Sequence, residues 1–303
     1  NSFQLNIGNN KFNNIAQMTK TANTDWSWSV LLTDFDLDQD KDIYVTNGYR
    51  RYALDNDVQN KVFEARMKYG KNVPLEIKKQ LYYDMPSEKL QNILYENQGN
   101  LKFVDRASEW GLEDFTFSNG AAQADLDNDG DYDLVVNNID DKALVYQNVS
   151  VERNEGNYLK IKLKGVNSEP FAKVSIKYGG KEQYIESRRI KGYRSSHDNS
   201  IIFGLGNTEK VDTLKVEWNN GSAEIRYDIP KNSVITLDIV NAKPLKPEAD
   251  KVIPLFKESE VLGQPIVHKE NPYDDFEEEI LLPYKQSTLG PFMSKGDFNG
   301  DGL

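Results

Sequence analysis

Two short runs of the sequence crowd carboxylates at alternate positions: Asp34, Asp36, Asp38, Asp40 and Asp42, then Asp125, Asp127, Asp129, Asp131 and Asp133. Carboxylates this close repel one another and raise each other's pKa, so such a run either splays into water or gathers around a cation. Alternate side chains converge where the backbone coils around a point, and Gly130 supplies the positive φ that a coil needs. Hard oxygen donors in this number suit Ca2+, with carboxylates from Asp125, Asp127, Asp129 and Asp133 and the backbone carbonyl of Asp131 as a further ligand. Magnesium fits less well, because it keeps several of its waters. An EF-hand would need a bidentate Glu at the twelfth position between two helices, whereas the twelfth residues here are Val45 and Val136 in strand-like runs. An ion-free Asp/Gly-rich turn at a sheet edge is the alternative. The first run has Gln39 where the second has Gly130. A side chain in the left-handed region costs on the order of 1 kcal/mol, so the first loop is expected to bind more weakly and Gln39→Gly to tighten it.

The elements that must position these runs repeat with them. Asn6 and Asn97, Phe12 and Phe103, and Asp34 and Asp125 are each 91 positions apart, within matching "NIGNNKF"/"NQGNLKF" and "DFDLDQDKDIYVTNG"/"DLDNDGDYDLVVNNI" segments. Two copies of one β unit are therefore expected within residues 1–150, each ending its acidic loop in a strand. A third copy begins at "LFKES" (255–259) and reaches "DFNGDGL" (297–303), adding Asp297, Asn299 and Asp301 as candidate ligands. The chain stops inside that motif, as a fragment of something longer would. Between the first two copies, residues 54–92 change to loose helical spacing at Val58, Val62, Met67, Leu75 and Leu81, with Pro74 and Pro86 as helix starts. This predicts a helical insertion, either a packing brace or a lid.

From residue 156 the pattern turns to short alternating strands, predicted at 158–164, 172–178, 181–187, 212–218, 223–228 and 233–239, with Gly179-Gly180 and Asn220-Gly221 as hairpin turns. Leu159, Ile161 and Leu163 would face a core, and Lys160, Lys162 and Lys164 a wet face. A separate small β-sandwich over 151–242 is expected, leaving through a Pro-containing linker at 241–250 into 243–303. The adjacent Ser196, His197 and Asp198 do not make a triad by being neighbours. Arg188, Arg189 and Arg194 read as a solvated basic face. His268, Asp274, Asp275 and Glu277–Glu279 read as a loop decorating the third copy.

Composition narrows the function classes. A net charge of −11 argues against nucleic-acid binding, which needs a basic footprint. No apolar run is long enough for a membrane helix. Zero cysteines exclude disulfides and thiolate metal sites, and two histidines leave little for acid/base chemistry near neutral pH.

The acidic repeats resemble the FG-GAP/VCBS repeat over 1–48, 93–148 and 255–303. The segments "AKVSIKYGGKEQYIE", "GYRSSHDNSIIFGLGN" and "VDTLKVEWNNG" resemble the ASPIC/UnbV domain, which accompanies such repeats in cartilage acidic protein-like and large exported Bacteroidota proteins. The resemblance implies an all-β fold: partial β-propeller blades with calcium loops, a helical insertion and a small β-sandwich. It implies calcium as cofactor and a place outside the cytoplasm: cell surface, outer membrane or secreted. The expected role is a binding or scaffold module for a protein or carbohydrate ligand, with an outer-membrane protein among the conceivable partners. The competing class is a polysaccharide-active lyase or hydrolase on the same scaffold, for which no nucleophile or acid/base pair is visible.

Overall fold

The computed structural model describes residues 2–165, 171–245, 269 and 272–278. The chain divides into two units, Asn1–Glu248 and Ala249–Leu303. In the second, Asp275–Glu278 form one helical turn. The third acidic copy with Asp297, Asn299 and Asp301 lies outside the described residues, as does His268.

The first unit is built mainly from β-strands. Ser27–Thr33, Asp42–Asn47, Ile93–Asn97 and Phe103–Asp105 form a four-stranded antiparallel meander in that order. Asp42–Asn47 is buried along its whole length, and its Ile-Tyr-Val centre suits a strand with neighbours on both sides. Ser118–Ala124, Asp133–Asn138 and Leu144–Tyr146 form a second, three-stranded sheet. The 91-residue spacing holds in three dimensions: Ser27–Thr33 corresponds to Ser118–Ala124, and Asp42–Asn47 to Asp133–Asn138. The hairpin that opens the second repeat nevertheless completes the first sheet, so sequence repeat and sheet are out of step. The described residues contain no closed ring of blades.

A recurring turn links these pieces. Thr19 N donates to Ile15 O at 2.9 Å, Trp110 N to Arg106 O at 2.9 Å, and Arg153 N to Val149 O at 3.0 Å. Leu31, Tyr44 and Leu94 of the first sheet pack with Ala121, Leu134 and Val136 of the second in one buried cluster. The predicted insertion is two helices, Asn56–Tyr69 and Leu75–Tyr83, the second starting after Pro74; Pro86, the other expected helix start, opens no helix and precedes the strand Leu90–Gln91. Asp55 caps the first by accepting from Val58 N at 3.0 Å. Val58 is buried, but Phe63, Met67, Leu75 and Tyr83 stay exposed, so the pair projects from the sheets. Arg51 lies over the rings of Tyr82 and Tyr83 at its base.

The sandwich has a three-stranded layer, in the order Ile201–Gly206, Asn157–Lys164, Ser233–Asp238, whose last two strands are parallel. Its five-stranded layer runs Lys181–Glu186, Lys173–Tyr178, Lys210–Glu217, Ser222–Pro230, Lys243–Pro244. Leu159, Ile161 and Leu163 face Val174, Ile176, Val216 and Trp218 in its core, as the alternation predicts. Ile201–Gly206 was not among the predicted strands; its two glycines weaken the β signal. Part of the expected linker, Lys243–Pro244, is instead an edge strand paired with Ser222 and Ala223. The lysine face also needs correcting. Lys162 and Lys164 are exposed, but Lys160 is 3 % exposed, because the outer face of this layer lies over both acidic loops.

Candidate metal loops beneath the sandwich

Each acidic loop turns the chain from an edge strand of its sheet, Ser27–Thr33 or Ser118–Ala124, into the neighbouring strand. In the first, Asp34 accepts from Asp38 N at 3.0 Å and Gln39 N at 2.9 Å, and Asp38 accepts from Asp40 N at 2.8 Å. In the second, Asp127 accepts from Asp129 N at 3.3 Å and Asp129 from Asp131 N at 3.1 Å. The last carboxylate of each run is a staple. Asp42 accepts from Phe35 N at 3.0 Å and Asn97 N at 2.9 Å, and Asp133 from Leu126 N at 2.7 Å and Asn148 N at 2.8 Å. Both oxygens of Asp42 and both of Asp133, two residues placed among the ligands from sequence, thus already accept from backbone. Asp40 is exposed, while its counterpart Asp131 is fully buried.

The loops bring together three carboxylate groups, each with ligand atoms within 4.8 Å of one another: Asp34, Asp36 and Asp42; Asp125, Asp127 and Asp129; and Asp129, Asp131 and Glu152. Four buried oxygens among them have no hydrogen-bond partner: Asp36 Oδ1, Asp125 Oδ1, Asp129 Oδ2 and Asp131 Oδ1. Native interiors rarely leave such atoms unmatched. Burial first, then the neighbouring carboxylates Asp36 and Asp38, pushes Asp34 up to about 8. Burial likewise raises Asp36 to about 7 and Asp42 to about 8, and lifts Asp38. In the second loop burial lifts Asp129 to about 6 and Asp131 to about 7. Carboxylates held in this way take up either protons or a cation.

The sandwich meets the two loops with complementary residues. Gly204 lies over Asp34, where an added Cβ would sit 1.9 Å from Oδ2. At the equivalent place in the second loop, Lys160 Nζ reaches Asp125 Oδ2 at 2.5 Å, with both side chains buried. Gly206 lies over Gln39, and Tyr158 over Gly130, where a Cβ would fall 2.1 Å from the ring. Gln39 does take the left-handed backbone, with φ 89°, and Gly130 has φ 113°. The Gln39 side chain is not idle: Nε2 donates to Leu205 O at 2.8 Å, and Oε1 accepts from Lys181 Nζ at 2.8 Å and Tyr178 OH at 3.3 Å. A residue with a side chain in one loop faces glycine, and the glycine of the other faces tyrosine.

The remaining sequence candidates are structural. His197 Nδ1 accepts from Gln123 N at 3.1 Å and its Nε2 lies 3.1 Å from Lys191 O, so the ring ties the sandwich to the second sheet. Burial holds its pKa below the usual range, which suits a neutral ring accepting at Nδ1. Arg188 pairs with Glu186, Arg189 donates to Asn199 Oδ1 at 2.7 Å, and Arg194 lies over Tyr193. Lys160 and Glu152 are the site residues that sequence reasoning missed. The lysine alternation was the one signal, and it pointed outward. Beside the first loop lies a cleft of about 380 Å3 lined by Asp36, Glu96, Arg106, Trp110, Tyr146 and Arg153, among others.

With this geometry in view, the class defined by residues 157–244 is a two-layer β-sandwich carried against acidic β-loop sheets. Residues 172–244 match the family model described as ASPIC and UnbV. No curated protein matches the chain. No described helix is long and apolar enough to cross a membrane.

Proposed function

We propose that this chain is a calcium-binding, extracytoplasmic binding or scaffold module whose acidic loops are FG-GAP/VCBS-type cation loops roofed by the ASPIC/UnbV sandwich. The observation that carries this reading is the set of buried carboxylate oxygens without partners in both loops. Oxygen-only donor sets of this density favour calcium over softer metals. Asp34, Asp36 and Asp42 would hold the ion in the first loop, with carboxylates of the 125–133 run and its surroundings in the second. A bound ion supplies charge balance and rigidity. The extracytoplasmic placement goes with the calcium reading, because calcium loops of moderate affinity fill at the millimolar concentrations found outside cells.

The cleft beside the first loop supports a carbohydrate over a protein ligand. Trp110 and Tyr146 offer apolar faces, and the Glu96–Arg106 pair at 2.9 Å offers donors and acceptors for hydroxyls. Calorimetric titration of CaCl2 into chelator-treated protein tests the metal reading, which saturable binding supports and a flat isotherm removes. Trp110→Ala read on an oligosaccharide array tests the ligand reading, which unchanged binding would remove.

A further inference from the structure

We infer that the divalent cation of the second loop is held by Asp129, Asp131 and Glu152, while the corner at Asp125, where the run opens, is filled from within by the ammonium of Lys160. The inference rests on the metal-loop reading above and says where in the second loop the ion sits.

Three observations carry it. First, Lys160 Nζ lies 2.5 Å from Asp125 Oδ2 and 3.4 Å from Asn128 Oδ1, with its side chain 3 % exposed. A positive charge is therefore already buried at the corner where the repeat pattern would place one. A second cation there would face an unscreened like charge. Second, Asp131 is fully buried; its Oδ2 accepts from Val151 N at 3.1 Å, and its Oδ1 has no partner. Asp129 Oδ2 is likewise unmatched; Asp125 Oδ1 is too, but the ammonium on that carboxylate's other oxygen already balances its charge. Third, the chain turns at 149–155 directly after Leu144–Tyr146, and this turn brings Glu152 to within 4.8 Å of both aspartates. Three acidic donors from two segments, with the lysine spent elsewhere, make an oxygen site for a hard divalent ion. It differs from a site made of the run's own alternate aspartates because Glu152 lies outside the run and Asp131 contributes its side chain.

Glu152 is exposed, so Glu152→Gln leaves folding intact. Calcium titration of the full chain should show that site weakened at least tenfold in Glu152→Gln, with the first loop unchanged. Glu155→Gln, on the same turn but paired with Arg153, should stay within about twofold of wild type, and Asp127→Asn, in the Asp125 corner, should weaken the site less than Glu152→Gln does. Wild-type affinity in Glu152→Gln, or selective loss in Asp127→Asn, would overturn the inference while leaving calcium loops in place. No calcium binding by the wild type would remove the broader reading as well.

Discussion

At the scale of single residues, Gln39 and Lys160 show how a loop's neighbours decide what its sequence means. Backbone conformation alone predicts that Gln39→Gly relieves about 1 kcal/mol of left-handed strain. The side chain, however, makes three hydrogen bonds into the sandwich, each worth about 0.5–1.5 kcal/mol net. Gln39→Gly is therefore expected to lower stability by about 1–2 kcal/mol, read as a shift in urea midpoint at constant slope; a more stable variant would show that strain dominates. Lys160→Met leaves Asp125 buried without its counter-charge, and breaking a buried pair costs about 3–5 kcal/mol. That loss should appear in chelator, and Lys160→Met/Asp125→Leu should recover much of it. No recovery in the double variant would mean that packing, not charge, fixes this position.

Among the elements, strands and insertion were legible in the sequence because each obeys a local rule. The 91-residue spacing survives as paired strands, and Pro74 opens a helix where proline is tolerated at a start. What was not legible was the partner of each face. Lys160 alternates with Leu159 and Ile161 like any solvated strand residue, and only the tertiary arrangement sets it over Asp125. Likewise Ile202 joins the core of the two acidic sheets, although its neighbours Ile201 and Phe203 pack inside the sandwich. Gly204 marks a close approach between these layers. Gly204→Ala should cost about 1–3 kcal/mol by forcing Asp34 aside, an overpacking effect that thermal melting would detect. The helical insertion should be dispensable. Tyr52 N donates to Pro86 O at 2.8 Å, so its ends are adjacent, and a short Gly/Ser loop joining Ala53 to Met85 should preserve the near-ultraviolet circular dichroism of the sheets. A collapsed spectrum would assign the helices a bracing role.

For the molecule as a whole, the raised carboxylates tie stability to pH and metal together. Asp34, Asp36, Asp42, Asp129 and Asp131 have folded-state values of about 6 to 8, above the ordinary 3.8. The folded state therefore holds more protons than the unfolded chain between these limits, and stability falls as pH rises through them. In chelator the melting temperature should drop between pH 5 and pH 8.5. Millimolar calcium should flatten that drop, because an ion that binds only the folded form stabilises it and replaces the protons. A chelated protein as stable at pH 8.5 as at pH 5 would contradict this account. Because the sandwich and acidic sheets lie in one unit, residues 1–248 should melt in a single transition, with equal calorimetric and van't Hoff enthalpies.

The parallel pairing of Asn157–Lys164 with Ser233–Asp238 also sets an order of events during synthesis. The strand that carries Lys160 gains its second neighbour only when Asp238 has left the ribosome, 113 residues after Asp125. At about 5–20 residues per second, that is a wait of roughly 6–23 seconds. Throughout it the second acidic loop has no completed roof, and its carboxylates remain open to water and to whatever ions the surroundings offer. The nascent loop is thus a transient polyanion, and the one lysine that balances Asp125 is fixed in place only when its strand lies between both neighbours.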